Sequence, residues 1–190
     1  MFGAIMAFTP GPNNIMVLSS GLTYGFRRSL PHIAGIALGV SLMVASVGLG
    51  LGAIFIAWPV LQTILKYAGI AYLIYLAGVI AMSGPVTPGQ DNQRGPLTFW
   101  AAVLFQWVNV KGWVMAIGII TAYSAIAGFP WNIAIQAALM FVMAGLSSLV
   151  WAMFGSALRP ILTSPRAVRA FNIVMALLLL ASLYPVLVDA

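Results

Sequence analysis

The sequence predicts an all-α, polytopic membrane protein of six transmembrane helices, and three observations predict it. Of its 190 residues, 63% are hydrophobic and 5% charged, with a mean hydropathy of +1.08, far outside the composition of a soluble domain of this length. The apolar residues fall into long runs between short turns. Because about 20 apolar residues cross a bilayer, a chain of this size holds roughly six spans and no soluble domain. Basic residues recur on alternate turns, the pattern that orients a multi-pass chain.

The same totals exclude several functions. Eight basic residues against two acidic ones give a net charge of +6, which, scattered through apolar sequence, is orientation charge rather than a nucleic-acid surface. The chain has no cysteine, which removes disulfides, thiolate metal sites and thiol relays. One histidine and no carboxylate within a span supply no hydrolase triad, two-carboxylate site or common metal centre. Neither catalysis nor a metal or other cofactor is expected. Met1-Phe2-Gly3 offers no basic lead to a signal peptide, so the first segment is expected to stay in the mature chain.

Segment one, from about Phe2 to Ser20, is barely long enough to span and is broken by Thr9-Pro10-Gly11-Pro12-Asn13-Asn14. The two prolines each remove a backbone donor, and backbone freed in this way is tolerated at membrane depth only against protein or a watery cavity. Residues 21–32 read as a polar turn. Pro31 suits the first turn of a helix, so segment two runs from there to about Ala57. Its pairs Gly35/Gly39 and Gly48/Gly52 have the four-residue spacing of close helix approach in lipid and read as packing seams. His32, beside Arg28, reads as a solvated interfacial residue.

Trp58-Pro59 turns the chain into segment three, about Leu61 to Ser83, which carries Tyr67, Tyr72 and Tyr75, with Lys66 close enough to its start to snorkel. Residues 84–96 are turn formers without an apolar period. Segment four follows from about Leu97 to Ala122, segment five from Trp131 to Ala157, and segment six from about Ala170 to Val188. Trp58 and Trp131 read as interfacial anchors, Trp107 and Trp113 as deeper residues able to line a cavity.

The chain is thus one transmembrane domain, 1–190, made of a three-helix half at 1–83, a linker at 84–98 and a second half at 99–190. Arg27 and Arg28, Arg94, and Arg159, Arg166 and Arg169 place the first, third and fifth loops in the cytoplasm and both termini outside. Three spans per half is an odd number, so related halves would be inverted, as in many secondary transporters. The first segment of each half is interrupted, at Thr9 to Asn14 and at Gln106 to Gly112.

The second interruption, Gln106-Trp-Val-Asn-Val-Lys-Gly-Trp113, places Lys111 about 20 Å into segment four at helical rise. A lysine at a helix centre costs about 2.5–3.5 kcal/mol on insertion scales, so it is expected to face the bundle interior with a partner. Two partners are open. Lys111 can meet the carboxylate of an amino acid while Asn13, Asn14 and Asn109 orient its amino group, or it can cap the carbonyls freed around Pro10 and Pro12. Gln106, Asn109 and Trp113 share one face if the helix is regular there. The candidate substrate-binding residues are therefore Pro10, Gly11, Pro12, Asn13, Asn14, Gln106, Asn109, Lys111 and Trp113.

The run at residues 9–14, the Gly25-Phe-Arg-Arg28 turn with Gly35 and Gly39, the Ala68-Gly-Ile-Ala-Tyr-Leu73 segment and the Gln106-Trp-Val-Asn-Val-Lys111 run together resemble the LysE/RhtB family of amino-acid exporters over nearly the whole chain. The resemblance implies export of amino acids or their derivatives across a bacterial inner membrane, driven by the proton gradient. Asn109-Val-Lys111 departs from the commoner Asn-Pro-Lys of that family, and is similar to the cysteine and O-acetylserine exporter branch, as are Phe99-Trp100 and Phe171-Asn-Ile-Val174. Without that proline, a second break shallower than in most members of that family is expected. The partners implied are an amino-acid-like solute and the lipid bilayer, with a homo-oligomer left open. Facilitated efflux without protons and a structural membrane subunit are the competing readings.

Overall fold

The computed structural model describes residues 2–51, 57–83, 95–162 and 164–184, and every regular element among them is helical. Eight α-helices follow in order: α1 (Phe2–Phe8), α2 (Pro12–Tyr24), α3 (Phe26–Ser46), α4 (Pro59–Ala81), α5 (Phe99–Phe105), α6 (Val110–Ala122), α7 (Trp131–Leu158) and α8 (Pro165–Ala181). A π-helical turn, Val47–Leu51, extends α3, and a 3-10 turn, Gln106–Val108, ends α5. Three helices, lying in α3 with its extension, α4 and α7, are long and apolar enough to cross a membrane. The pair α5–α6, bent by 73°, makes a fourth if it counts as one span. Gly52, the linker at 84–94 with Asp91 and Arg94, and the chain beyond Tyr184 with Asp189 lie outside the described residues.

The polarity of the bundle is inverted relative to a protein in water. Along α7, Leu139, Phe141, Val142, Leu146, Val150, Met153 and Phe154 are exposed, whereas Gln136, Ser147 and Ser148 are buried. Hydrocarbon accepts the outer residues, and the polar ones find partners only inside. Ser19 donates to Asn172 Oδ1 (3.3 Å), Asn172 to the Ser83 carbonyl (2.9 Å), and Ser41 to the Ala137 carbonyl (3.0 Å). These bonds tie α2 to α8, α8 to the end of α4, and α3 to α7.

Small residues set the distances between helices. A Cβ at Gly35 would collide with the Phe99 carbonyl, and one at Gly39 would lie 2.6 Å from Gln106 Cγ, so these two glycines seat α5 and its 3-10 turn on α3. Both act as the packing seam their spacing predicts. Gly48 likewise meets Ile120 and Ile133. Gly21 packs on the Ala152 carbonyl and Gly155 on the Leu18 carbonyl, which brings α2 and α7 to backbone contact. Helix α3 lies against α7 and α5, and α4 against α8.

Three boundaries differ from those expected. The polar turn at 21–32 is mostly helix: α2 continues to Tyr24, and Gly25 alone, at φ 86°, turns the chain into α3. Segment two therefore starts at Phe26, and Pro31 sits inside α3, where the carbonyl it leaves free belongs to exposed Arg27. This earlier start buries His32, 1% exposed against α2, with Nδ1 3.4 Å from Ser20 Oγ. It is not a solvated residue. Segment six begins at Pro165, capped by Ser164 Oγ accepting from the Ala167 amide (3.1 Å), so Arg166 and Arg169 lie on the first turns of α8 instead of in a loop.

Candidate functional site

The first break is built from residues that repair one another. Helix α1 ends because Pro10 and Pro12 have no amide to donate; extended Gly11 then carries the chain to Pro12, the first residue of α2. The carbonyls released at the end of α1 are met from three directions. Asn14, buried in the first turn of α2, folds back and donates to Ala7 O (3.0 Å) and Thr9 O (2.9 Å). Ser147 of α7 donates to Ala7 O (2.8 Å). Lys111 Nζ donates to Thr9 O (2.7 Å) and Pro10 O (3.3 Å).

The second break forms without proline. The 3-10 turn Gln106–Val108 tightens the helix, Asn109 leaves it at φ −85° and ψ 97°, and α6 restarts with the Gly112 amide on Asn109 O (2.8 Å). The two helices meet at a bend of 73°. Packing supplies what the sequence lacks: Gly69 of α4 receives the Val108 carbonyl, where any Cβ would collide, and Gly112 lies against Met43 of α3.

An amide pair locks the two breaks together. Asn13 Nδ2 donates to Gln106 Oε1 (2.9 Å), and Gln106 Nε2 returns a bond to Asn13 Oδ1 (3.1 Å) and another to Ala102 O (3.0 Å). Asn109 Nδ2 adds a longer contact to Gln106 Oε1 (3.4 Å), while the buried Asn109 Oδ1 has no partner among the described residues. Gln106 is fully buried, so it positions Asn13 and Asn109 from behind.

A cleft opens between the breaks. Gly11, Pro12, Asn13, Asn14, Asn109 and Lys111 line it, with Met6, Ile36, Val40, Met115, Ala144 and Ser148 among the others. Six of the nine expected residues thus share one wall. Pro10 contributes its carbonyl through Lys111. Gln106 and Trp113 are not in the lining. Trp113 instead donates from Nε1 to Trp107 O (2.9 Å) and stacks edge-on against Trp107, bracing the turn from outside the cleft. The two serines of α7 were missed, although Ser147-Ser148 inside an apolar span is itself a signal of an interior polar site. Of the two roles open to Lys111, the structure displays the capping one.

Outward apolar faces, polar interior bonds and two interrupted helices meeting at a lined cleft define a polytopic helical membrane protein with an interior polar site. Residues 4–182 match the family described as LysE type translocator. The chain belongs to this family, whose members are transporters and not enzymes. It is 35% identical over 184 residues to a cysteine/O-acetylserine efflux protein of Escherichia coli O139:H28 (strain E24377A / ETEC), covering 93% of this chain and 89% of that one. It is also 35% identical over 183 residues to proteins of the same description in Escherichia coli (strain K12) and Shigella flexneri serotype 5b (strain 8401), covering 92% of this chain and 88% of each. No solved structure matches.

Proposed function

We propose that the chain exports amino acids or amino-acid derivatives across the bacterial inner membrane by proton antiport, with two inverted three-helix halves rocking about the cleft. The observation that carries the reading is Lys111, an ammonium held on the carbonyls of a broken helix inside a cleft that the second broken helix also lines. Broken helices at a repeat interface are where secondary transporters bind solute. The wall formed by Gly11, Pro12, Asn13, Asn14, Asn109 and Lys111, with the Pro10 carbonyl, reads an amino-acid backbone, while Gln106 and Trp113 hold that wall in place.

Two features support inversion. The first span of each half carries the break, and the pairs that an in-plane two-fold would map onto themselves, α3 with α7 and α4 with α8, pack directly. Six spans follow if α1–α2 and α8 each cross once. The loops around Arg27, Arg94 and Arg166 are then cytoplasmic and both termini outside. The names of the relatives point to cysteine and O-acetylserine, and a cleft whose lining holds no carboxylate among the described residues suits such neutral side chains better than cationic ones. The same lack of a carboxylate favours a second reading, facilitated efflux without protons.

A screen of labelled amino acids in proteoliposomes containing the chain, with and without an imposed pH gradient, decides the matter. Gradient-driven accumulation of a small neutral amino acid is expected. Flux that only equilibrates would leave facilitated efflux, and no flux of any amino acid would remove the export reading.

A further inference from the structure

We propose that Lys111 carries the exchanged proton: its ammonium and the ammonium of the substrate compete for the carbonyls of Thr9 and Pro10, so a substrate seats in the cleft only as Lys111 gives up its proton. The inference rests on the amino-acid reading of the cleft.

The broken first span presents two unlike ends to one cavity. The last carbonyls of α1 form a negative end, and the first amides of α2, which has no side-chain cap at Gly11, form a positive one. A zwitterion matches both, with its carboxylate toward α2 and its ammonium toward α1. In this structure the cation's place belongs to the protein itself. Lys111 Nζ sits 2.7 Å from Thr9 O and 3.3 Å from Pro10 O. It lies so close over the break that a Cβ on Gly11 would be 2.8 Å from it. Thr9 O already accepts from Asn14, which leaves it one lone pair for a cation, and two ammonium groups at that distance repel each other.

Among the described residues, no anionic side chain competes for Lys111. Helix α1, and α7 from Trp131 to Leu158, carry no titratable side chain, and α2 carries only Tyr24, its last residue. Helix α3 carries Arg27, Arg28 and His32 in its first two turns, but meets the cleft through Ile36 and Val40. Among the described residues, Lys111 is therefore the one lining residue that can change charge. An acceptor for a displaced N–H stands in the same wall, because Asn109 Oδ1 is buried there without a partner among the described residues.

The exchange balances. With the cleft open to the cytoplasm, an Nζ–H bond of Lys111 breaks, the proton passes to water, and the substrate ammonium takes the Thr9 and Pro10 carbonyls. With the cleft open outward, the substrate leaves, the neutral amine takes a proton from water there, and the ammonium returns to the carbonyls. One proton enters for each zwitterion exported, so each cycle moves one net charge.

Titration calorimetry of the full-length chain with O-acetylserine, in two buffers of different ionisation enthalpy at the same pH, counts the protons released. The wild type is expected to release close to one proton per ligand bound at low pH and to bind more tightly as pH rises. Lys111→Arg, which stays charged, should bind at least about tenfold more weakly. Whatever affinity Lys111→Gln retains should be the same at mildly acidic and mildly alkaline pH. Wild-type binding without proton release would overturn the proposal and leave Lys111 as a permanent cation pairing with the substrate carboxylate; so would proton release that persists in Lys111→Gln. Failure of the wild type to bind either O-acetylserine or cysteine would instead overturn the export reading, and this proposal with it.

Discussion

Asn14 shows what one side chain does at a helix end with no water to help. Its amide bonds to Ala7 O and Thr9 O at once, so Asn14→Ala strips donors from two carbonyls. Ser147 still meets Ala7 O and Lys111 still meets Thr9 O, so the loss is that of two hydrogen bonds, about 0.5–1.5 kcal/mol each, read as a lower thermal unfolding temperature in detergent. Asn14→Asp should fare no better, because a carboxylate accepts and does not donate. Gly11 makes the opposite case. Its backbone is extended, at φ −174° and ψ −178°, a conformation open to any residue, and an added Cβ meets only the mobile end of Lys111. Gly11→Ala should therefore keep the unfolding temperature and change substrate affinity, as measured by binding to the purified protein. An unchanged affinity would place the Lys111 contact outside the binding step.

Among the elements, Gly21 and Gly155 let α2 and α7 touch backbone to backbone. Gly155→Ala should push these helices apart and lower stability by about 1–3 kcal/mol, the usual cost of overpacking, whereas Gly78→Ala, with nothing within 4 Å, should be neutral in the same unfolding experiment. The first break was legible because two prolines and two asparagines interrupt an apolar run. The second was legible only as polar residues at depth: its 73° bend comes from how α3 and α4 pack on it, which no local pattern in residues 106–113 reveals. The α2–α3 corner was misread because a single glycine turns it while Arg27 and Arg28 face outward on the first turn of α3 and imitate a loop. The start of α8 was readable in Ser164-Pro165, a cap followed by a first-turn proline, but the arginines after it masked the helix.

For the molecule as a whole, the absence of cysteine makes sidedness directly measurable. Single cysteines in place of exposed Trp58 or Trp131 should react with an impermeant thiol reagent added to intact cells, and those in place of Arg27 or Arg166 should not. The reverse pattern would invert the proposed topology. In the proposed cycle, solute crosses through the cleft held by Lys111 and is tied there to the proton. The most direct test of this cycle is O-acetylserine transport in proteoliposomes with an imposed pH gradient, comparing the wild type with Lys111→Gln. The wild type should accumulate solute against its gradient, and the variant should lose this response to pH. Transport by Lys111→Gln that is as fast and as gradient-driven as that of the wild type would contradict the cycle.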